Sequence, residues 1–378
     1  MMPVEMRIAA VSAEVLVARP RRGVRFAIGD YDAFTAVLVS VRTEDGLTGY
    51  GEALARRGGE MTAAAVNSLL GPAVVGEDAR NIGGLWVRMF DQLRRWGHSA
   101  GVVVEAISGI DCALWDIAGQ AAGMPVWRLL YGAGRERIPV YASSIYIDSD
   151  QEMVAQAREH VANGFGAIKI KIGRTPADGG VRGDIRAVEK IRDAVGDEIE
   201  LMVDANGAFD AATAVRVGRA LEPLDVQWFE EPVPPDDLDG YRRVHAMTST
   251  PLAAGETFFG VAGFRAPIAM GLLDYIQPDL GRCGGMTAAL QIAALAFAQN
   301  RQIAPHTGFS GGLSQLAAIH LASAVPQLSR LEYMTIDNPV RELFVEGFPR
   351  PRDGILDVPR APGWGLTLDL DRIEHMRG

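Results

Sequence analysis

Apolar residues along this chain fall into two regimes of spacing, and the change between them divides the sequence. Residues 8–18 and 33–41 alternate apolar and polar side chains, the period of a strand with one covered face. The second segment runs into Thr43-Glu44-Asp45-Gly46 and returns through Leu47 to Glu52, so the chain opens as a meander. Between the two segments, residues 19–31 form a polar loop long enough to move, carrying Arg19, Arg21, Arg22 and Arg25 around Phe26. It is a candidate lid. From Met61 to Ala122 the spacing becomes helical, with Val103, Ile107, Ile110, Leu114 and Ile117 recurring among small residues that permit close packing. Asp111 and Asp116 lie on nearly opposite faces of that helix, cannot share a cation, and are read as structural.

Beyond Gly132-Ala133-Gly134 the pattern changes to short apolar runs separated by helical segments. The predicted strands are residues 138–143, 167–172, 199–204, 226–230, 252–256, 275–277, 303–305 and 330–333. Such alternation predicts an α/β fold with a parallel (β/α) barrel, whose chemistry sits at the C-terminal strand ends. After Tyr333 the repeat gives way to a Pro- and Gly-rich tail with a short strand at 354–358, expected to pack back on the first domain. The expected organisation is a first domain over residues 1–132, the barrel over 133–335 and a tail over 336–378.

Composition narrows the class of protein. A length of 378 residues suits two domains, and 48% apolar with 22% charged residues is ordinary for an enzyme. A formal charge of −10 argues against nucleic acid or an anionic membrane as partner, although a local cation can still attract an anionic small molecule. No secretory h-region is seen, and the most apolar helical run, residues 288–298, is too short to span a bilayer. A cytoplasmic protein, with Cys112 and Cys283 as packed thiols and a symmetric homo-oligomer as the assembly, is expected.

Candidate chemistry gathers at the predicted strand ends. Lys169 and Lys171 point to one side of their strand, and two adjacent ammonium groups should lower each other's pKa, making one a candidate base. Asp204, Glu230 and Glu256 end three successive strands and would converge at the barrel mouth. Carboxylates without cysteine or paired histidine suit Mg²⁺, with Mn²⁺ as an alternative, better than Zn²⁺. Asp279 and His306 end the next two strands, where a carboxylate on one ring nitrogen would fix the imidazole as a second acid/base. Glu332 ends the last strand, either orienting a substrate oxygen or pairing with Arg330 or Arg341. Ser144, Tyr146 and Arg174, near strand ends, could contribute to specificity.

The set Lys169-x-Lys171, Asp204-Ala-Asn206, Glu230-Glu-Pro, Gly-Glu256, Asp279 and His306 resembles the enolase superfamily, specifically its mandelate racemase subgroup. The helix containing Gly109-Ile110-Asp111-Cys112-Ala113-Leu114-Trp115-Asp116 adds to that resemblance, which spans nearly the whole chain. The resemblance implies a modified TIM barrel, (β/α)₇β, with an N-terminal α+β capping domain completed by the C-terminal tail. It implies that Asp204, Glu230 and Glu256 bind Mg²⁺, that Lys171 is the base on one face, and that the Asp279–His306 dyad serves the other. Lys169 would contact the substrate carboxylate, Glu332 would hydrogen-bond it, and Asn206 would belong to the substrate-binding set. A muconate-type pattern has lysine where this chain has Asp279.

Removing a proton α to a carboxylate places a second negative charge on that group, so cations and donors must stabilise an enediolate. Reprotonation on the other face gives a racemase or epimerase of 2-hydroxy acids; loss of a β-hydroxyl gives dehydration to a 2-keto-3-deoxy acid. A Mg²⁺-dependent acid-sugar dehydratase is the leading expectation, since the lid candidate is polar and one of its arginines could take the distal carboxylate of a diacid. A non-catalytic carboxylate-binding barrel has no need of two bases.

Overall fold

In the computed structural model, which describes residues 6–131 and 134–377, the meander and the helix after it fold against one another. Residues 132 and 133 of the expected boundary lie outside the described residues. Five strands come first: β1 (Ile8–Ala18), β2 (Val24–Phe26), β3 (Gly29–Tyr31), β4 (Phe34–Thr43) and β5 (Thr48–Leu54). An antiparallel sheet of β1, β4 and β5 has β4 at its centre, while β2 and β3 pair as a separate hairpin. The lid candidate is therefore ordered as a hairpin rather than an irregular loop.

Alternation along β4 explains why the sheet can lie between two layers. Val37, Val39 and Val41 pack with Ile107, Ile110, Ala113 and Leu114 of the helix Val102–Ala122, while Phe34, Ala36 and Leu38 join the core shared with the barrel. Helix and sheet meet closely at Gly51, where an added Cβ would lie 2.1 Å from the Gly109 carbonyl oxygen. Only glycine permits that approach.

The parallel sheet contains β6 (Arg137–Ile145), β7 (Ala167–Lys171), β8 (Glu200–Asp204), β9 (Val226–Glu230), β10 (Leu252–Ala254), β11 (Tyr275–Ile276), β12 (Gln302–Ile303) and β13 (Leu331–Met334), ordered β12-β11-β10-β9-β8-β7-β6-β13. Its curled ends meet where Ile303 bridges Leu328 and the Ser329 N–H donates to the Ile303 carbonyl at 2.8 Å. All eight predicted strands are present, but four are shorter at their C-terminal ends. Gly255 turns away at φ 146°, and the ladder stops short of Pro278 and Pro305, which lack an N–H. Between strands, Ser149, Asp210 and Asp237 cap the helices Asp150–Ala162, Ala211–Leu221 and Leu238–Met247 by accepting backbone N–H bonds.

The tail touches both parts of the molecule. Its strand β14 (Ile355–Asp357) pairs antiparallel with the start of β6, not with the first sheet. Further on, the Trp364 N–H donates to Asp116 (2.9 Å) and its indole N–H to the Tyr50 carbonyl (2.7 Å). Asp116 also accepts from the Tyr50 N–H, and Asp111 accepts from the Thr287 N–H and hydroxyl. Both acids thus join backbone segments. Cys112 and Cys283 are buried and unpaired, and among the described residues no helix is long and apolar enough to cross a membrane.

One buried carboxylate links β5 to the barrel. Glu52 accepts from the backbone N–H groups of Gly311 (2.5 Å) and Ser314 (3.1 Å) at the start of the helix Gly312–Ala324. Burial raises its carboxyl from 4.5 to about 7, against the lowering effect of those N–H groups. The folded state then holds this proton more tightly than the unfolded chain, so the stability tied to Glu52 is present below about pH 4.5 and lost as pH rises through 7. Urea unfolding should show a decline with a contribution of up to about 1.4 kcal/mol per pH unit, and Glu52→Gln should flatten it. An unchanged slope in the variant would assign the decline to other groups.

Candidate active site

Period-two alternation turns Ala167, Lys169 and Lys171 of β7 into the barrel and leaves Ile168 and Ile170 packed in the outer core. Register pairs Lys171 with Asp204 and Asp204 with Glu230, so these side chains share a layer at the strand ends. One layer below, Lys169 pairs in register with Met202, and Met202 with Trp228. Tyr141, Ala167, Met202, Trp228, Ala253 and Ala304 fill the interior and form the floor of the site.

Ammonium and carboxylate groups interleave above that floor. Lys169 Nζ lies 2.8 Å from Glu230 and 2.7 Å from Glu332, with Asp204 at 3.7 Å, and Lys171 Nζ bonds Asp204. The expectation that the two lysines lower each other's pKa fails for Lys169. Burial does push it down, but Glu230 and Glu332 outweigh that and hold it well above its ordinary value. Glu230 also accepts from the Trp228 indole N–H (2.9 Å) and the Gln277 amide (2.8 Å).

Glu332 is held as an acceptor. It takes hydrogen bonds from Ser143 Oγ (2.6 Å) and the backbone N–H groups of Thr307 (2.6 Å) and Gly308 (2.9 Å). Burial raises its carboxyl, but Lys169 and His306 hold it far below the usual range. Arg330 pairs instead with Glu200, and Arg341 donates to the Met334 carbonyl and Glu342, so the alternative of a local ion pair for Glu332 is not realised.

His306 and Asp279 sit just past the ends of β12 and β11, joined by a parallel bridge, with His306 Nδ1 2.7 Å from Asp279 Oδ2. His306 Nε2 lies 2.6 Å from Glu256 and 3.6 Å from Glu332. Burial alone lowers this imidazole, yet Glu256 and Glu332 raise it to about 10. Asp279 therefore orients His306 from behind, while the other nitrogen faces the carboxylates.

An inner cavity of about 10 Å³, room for about one water molecule, is lined by Lys171, Asn206, Glu256, His306, Glu332, Ser144 and Tyr146. Lys169 and Asp279 support it from below and behind. The lid arginines lie elsewhere. Arg19 is exposed, Arg21 pairs with Asp337, Arg22 with Asp148 and Glu152, and Arg25 with Asp178. Arg22 and Arg25 border a separate outer cavity of about 840 Å³, which shares Ser144 and Tyr146 with the inner one. Arg174 pairs with Asp150 and Asp184.

Other residues enter the site without having been read from the sequence. Arg56, just past β5, reaches Glu256 with Nη1 at 3.1 Å, while Phe26 of the hairpin and Phe309 close the cavity. Nothing in the neighbours of Arg56 marks it. Glu231, by contrast, stands beside Glu230 in a run already singled out; it is buried, accepts from Thr257, and is raised to about 8 by burial and by Glu256 and Asp204.

Comparison with known proteins agrees with this geometry. Residues 152–372 match the family described as enolase C-terminal domain-like, and residues 10–131 match the mandelate racemase / muconate lactonizing enzyme N-terminal domain. The chain belongs to the enolase superfamily. It is 33% identical to D-galactarolactone cycloisomerase of Agrobacterium fabrum, covering 98% of this chain and 99% of that one. It is 34% identical to L-talarate/galactarate dehydratase of Salmonella typhimurium, over 88% of this chain and 80% of that one. A superfamily member from Polaromonas sp. JS666 superposes with a TM-score of 0.92 at 34% identity, covering 99% of this chain and 98% of that one. A racemase from Streptomyces coelicolor A3(2), solved with bound magnesium, gives 0.89 at 30% identity over 98% of this chain and all (100%) of that one.

The donor set of this enolase-superfamily chain fits a hard divalent cation. Carboxylate oxygens of Asp204, Glu230 and Glu256 lie within 4.8 Å of one another and all three residues are buried. Beside them, Asn206 Oδ1 is buried without a hydrogen-bond partner. Oxygen donors alone suit Mg²⁺. Glu230→Gln and Glu256→Gln should each weaken Mg²⁺ binding by roughly 100-fold in titration calorimetry. Far-UV circular dichroism should stay that of the parent; unchanged Mg²⁺ affinity in both variants would remove these residues from the metal site.

Proposed function

We propose that this enzyme uses Mg²⁺ to remove the proton α to the carboxylate of an acid sugar and then expels the oxygen on the β-carbon, giving a 2-keto-3-deoxy acid. The observation that carries this reading is that Lys171 and His306 open on one small cavity beside the carboxylate triad. When bound to Asp204, Glu230 and Glu256, Mg²⁺ supplies positive charge against the substrate carboxylate, where negative charge grows as the α-proton leaves. In this reading residues 1–132 cap a barrel of residues 133–335, and the tail, 336–378, ties the two together.

The residues of the chain divide the remaining work. Lys171 takes or returns the α-proton on one face and His306 does so on the other, with Asp279 fixing the imidazole through Nδ1. Lys169 offers its ammonium to the substrate carboxylate, held in place by Glu230 and Glu332. Glu332, as an ionised acceptor, orients the ammonium rather than donating a proton. If the β-oxygen is a hydroxyl, its loss is dehydration; if it belongs to a ring, its loss opens the ring and the net change is an isomerisation. Both outcomes are known among similar enzymes, which include a dehydratase and a cycloisomerase. A racemase or epimerase of 2-hydroxy acids is the second reading, because the same two groups can reprotonate the enediolate from either side.

A panel of mono- and diacid sugars screened for 2-keto acid formation should yield a product that requires Mg²⁺. Activity that survives complete chelation by EDTA counts against the metal reading. Lys171→Ala and His306→Asn should each lose roughly 100- to 10,000-fold in turnover. Each should nevertheless exchange the α-proton of one epimer in D₂O, read by NMR. Equal exchange of both epimers by both variants would rule out the assignment of one base to each face.

A further inference from the structure

Away from the catalytic cavity, one surface carries both halves of a contact. The helix Ile82–Arg94 ends in a turn where the Trp96 and His98 N–H groups donate to the Leu93 carbonyl and the Gly97 N–H to that of Arg94. On this ordered turn Trp96 stands 81% exposed, more than any other large apolar side chain among the described residues. A lone chain gains nothing from showing an indole to water, and tryptophan is enriched among the anchors of protein interfaces.

Beside the turn lies a depression of about 420 Å³. Pro235, Leu238, Phe258, Phe259 and Ala266 line it from the segments that follow β9 and β10, together with Ser99 and Ala100 of the same turn. Its surface is mainly carbon, and Trp96 is not part of its lining. Three residues of chain span at most about 11 Å, so the Cα atoms of Trp96 and Ser99 lie no further apart than that. Knob and depression therefore share one patch. A two-fold contact needs this adjacency, because each copy must give and receive across the same surface.

Charge is matched on the same patch. Arg95, next to the indole, is exposed and without an ion-pair partner among the described residues, whereas Arg94 is taken up by Asp91. Asp236, at the depression, is likewise exposed and unpaired, whereas Asp237 accepts from the Gly240 N–H and Asp239 pairs with Arg242. A free cation beside the knob and a free anion beside the depression meet when two copies face each other.

We propose that this surface is a two-fold interface between two copies of the chain. Trp96 of each copy fills the depression of the other, and Arg95 of each pairs with the other's Asp236. The contact bears on the chemistry through a short stretch of chain. Thr257, also at the depression, donates to Glu231, and Phe259 lies under Arg282, which donates to the Glu256 carbonyl at 3.3 Å. The second copy thus packs on the segment that directly follows a carboxylate of the triad.

Sedimentation velocity over roughly 0.01–100 µM protein reads the assembly. The parent should run as a dimer or a larger even-numbered species. Trp96→Ser changes an exposed position, so the fold should be retained while association weakens roughly 100- to 1,000-fold, the ring being lost twice per contact. Arg95→Asp and Asp236→Arg should each weaken association roughly tenfold, and the double variant should return to within about threefold of the parent. On dissociation, hydrogen exchange should quicken at residues 236–238 and 257–263. A monomeric parent, or a Trp96→Ser variant that associates as the parent does, overturns the inference. So does a double variant weaker than either single one, or exchange at those residues that is unchanged when the copies separate.

Discussion

Burial of charge at the ends of β7, β8, β9 and β13 is the constraint on which the site depends. Lys169, Asp204 and Glu230 are each 0% exposed, and an unpaired ion in such a place costs several kcal/mol. The register answers that cost by alternating sign: Lys169 between Glu230 and Glu332, Lys171 on Asp204. Neighbouring groups satisfy the remaining lone pairs, Trp228 and Gln277 on Glu230 and Ser143, Thr307 and Gly308 on Glu332. A slip of one residue in β7 would turn both lysines outward and bring Ile168 and Ile170 into the mouth.

The first sheet completes this arrangement from above. Glu52 fixes the end of β5 to the start of the helix Gly312–Ala324, and Arg56, four residues later, reaches Glu256. Trp364 and Asp116 tie the tail to the same sheet and helix. Position of the sheet and charge balance of the site are therefore coupled through short lengths of chain. A change in how the sheet sits on the barrel is felt at a carboxylate of the triad.

Polarity divides across the hairpin β2–β3 in the same economical way. Arg22 just before it and Arg25 within it join Asp148 and Asp178 of the barrel, while Phe26 turns inward to meet Phe309. Ion pairing thus anchors the hairpin at its rim, and aromatic packing sets the Phe26 ring 5.8 Å from Lys171 Nζ. Counting arginines in this stretch conveys the character of the outer face only, because alternate residues of a strand face opposite ways.

Residue order alone determined the alternation of strand and helix, the place of the carboxylates and lysines at strand ends, and the pairing of Asp279 with His306, since each depends on local period and on spacing by one strand-helix unit. It also marked Asp111 and Asp116 as structural from their angular separation on one helix. Tertiary structure alone decided which of the lid residues face the chemistry, because a polar count along residues 19–31 carries no record of the hairpin register that turns Phe26 inward. Arg56 and Glu256 are separated by 200 residues and meet only because the sheet lands on the barrel. The charge state of Lys169 was likewise beyond local reading: its near neighbour Lys171 is visible in sequence, whereas the carboxylates that outweigh it come from Glu230, 61 residues away, and from Glu332 on the last strand of the barrel sequence.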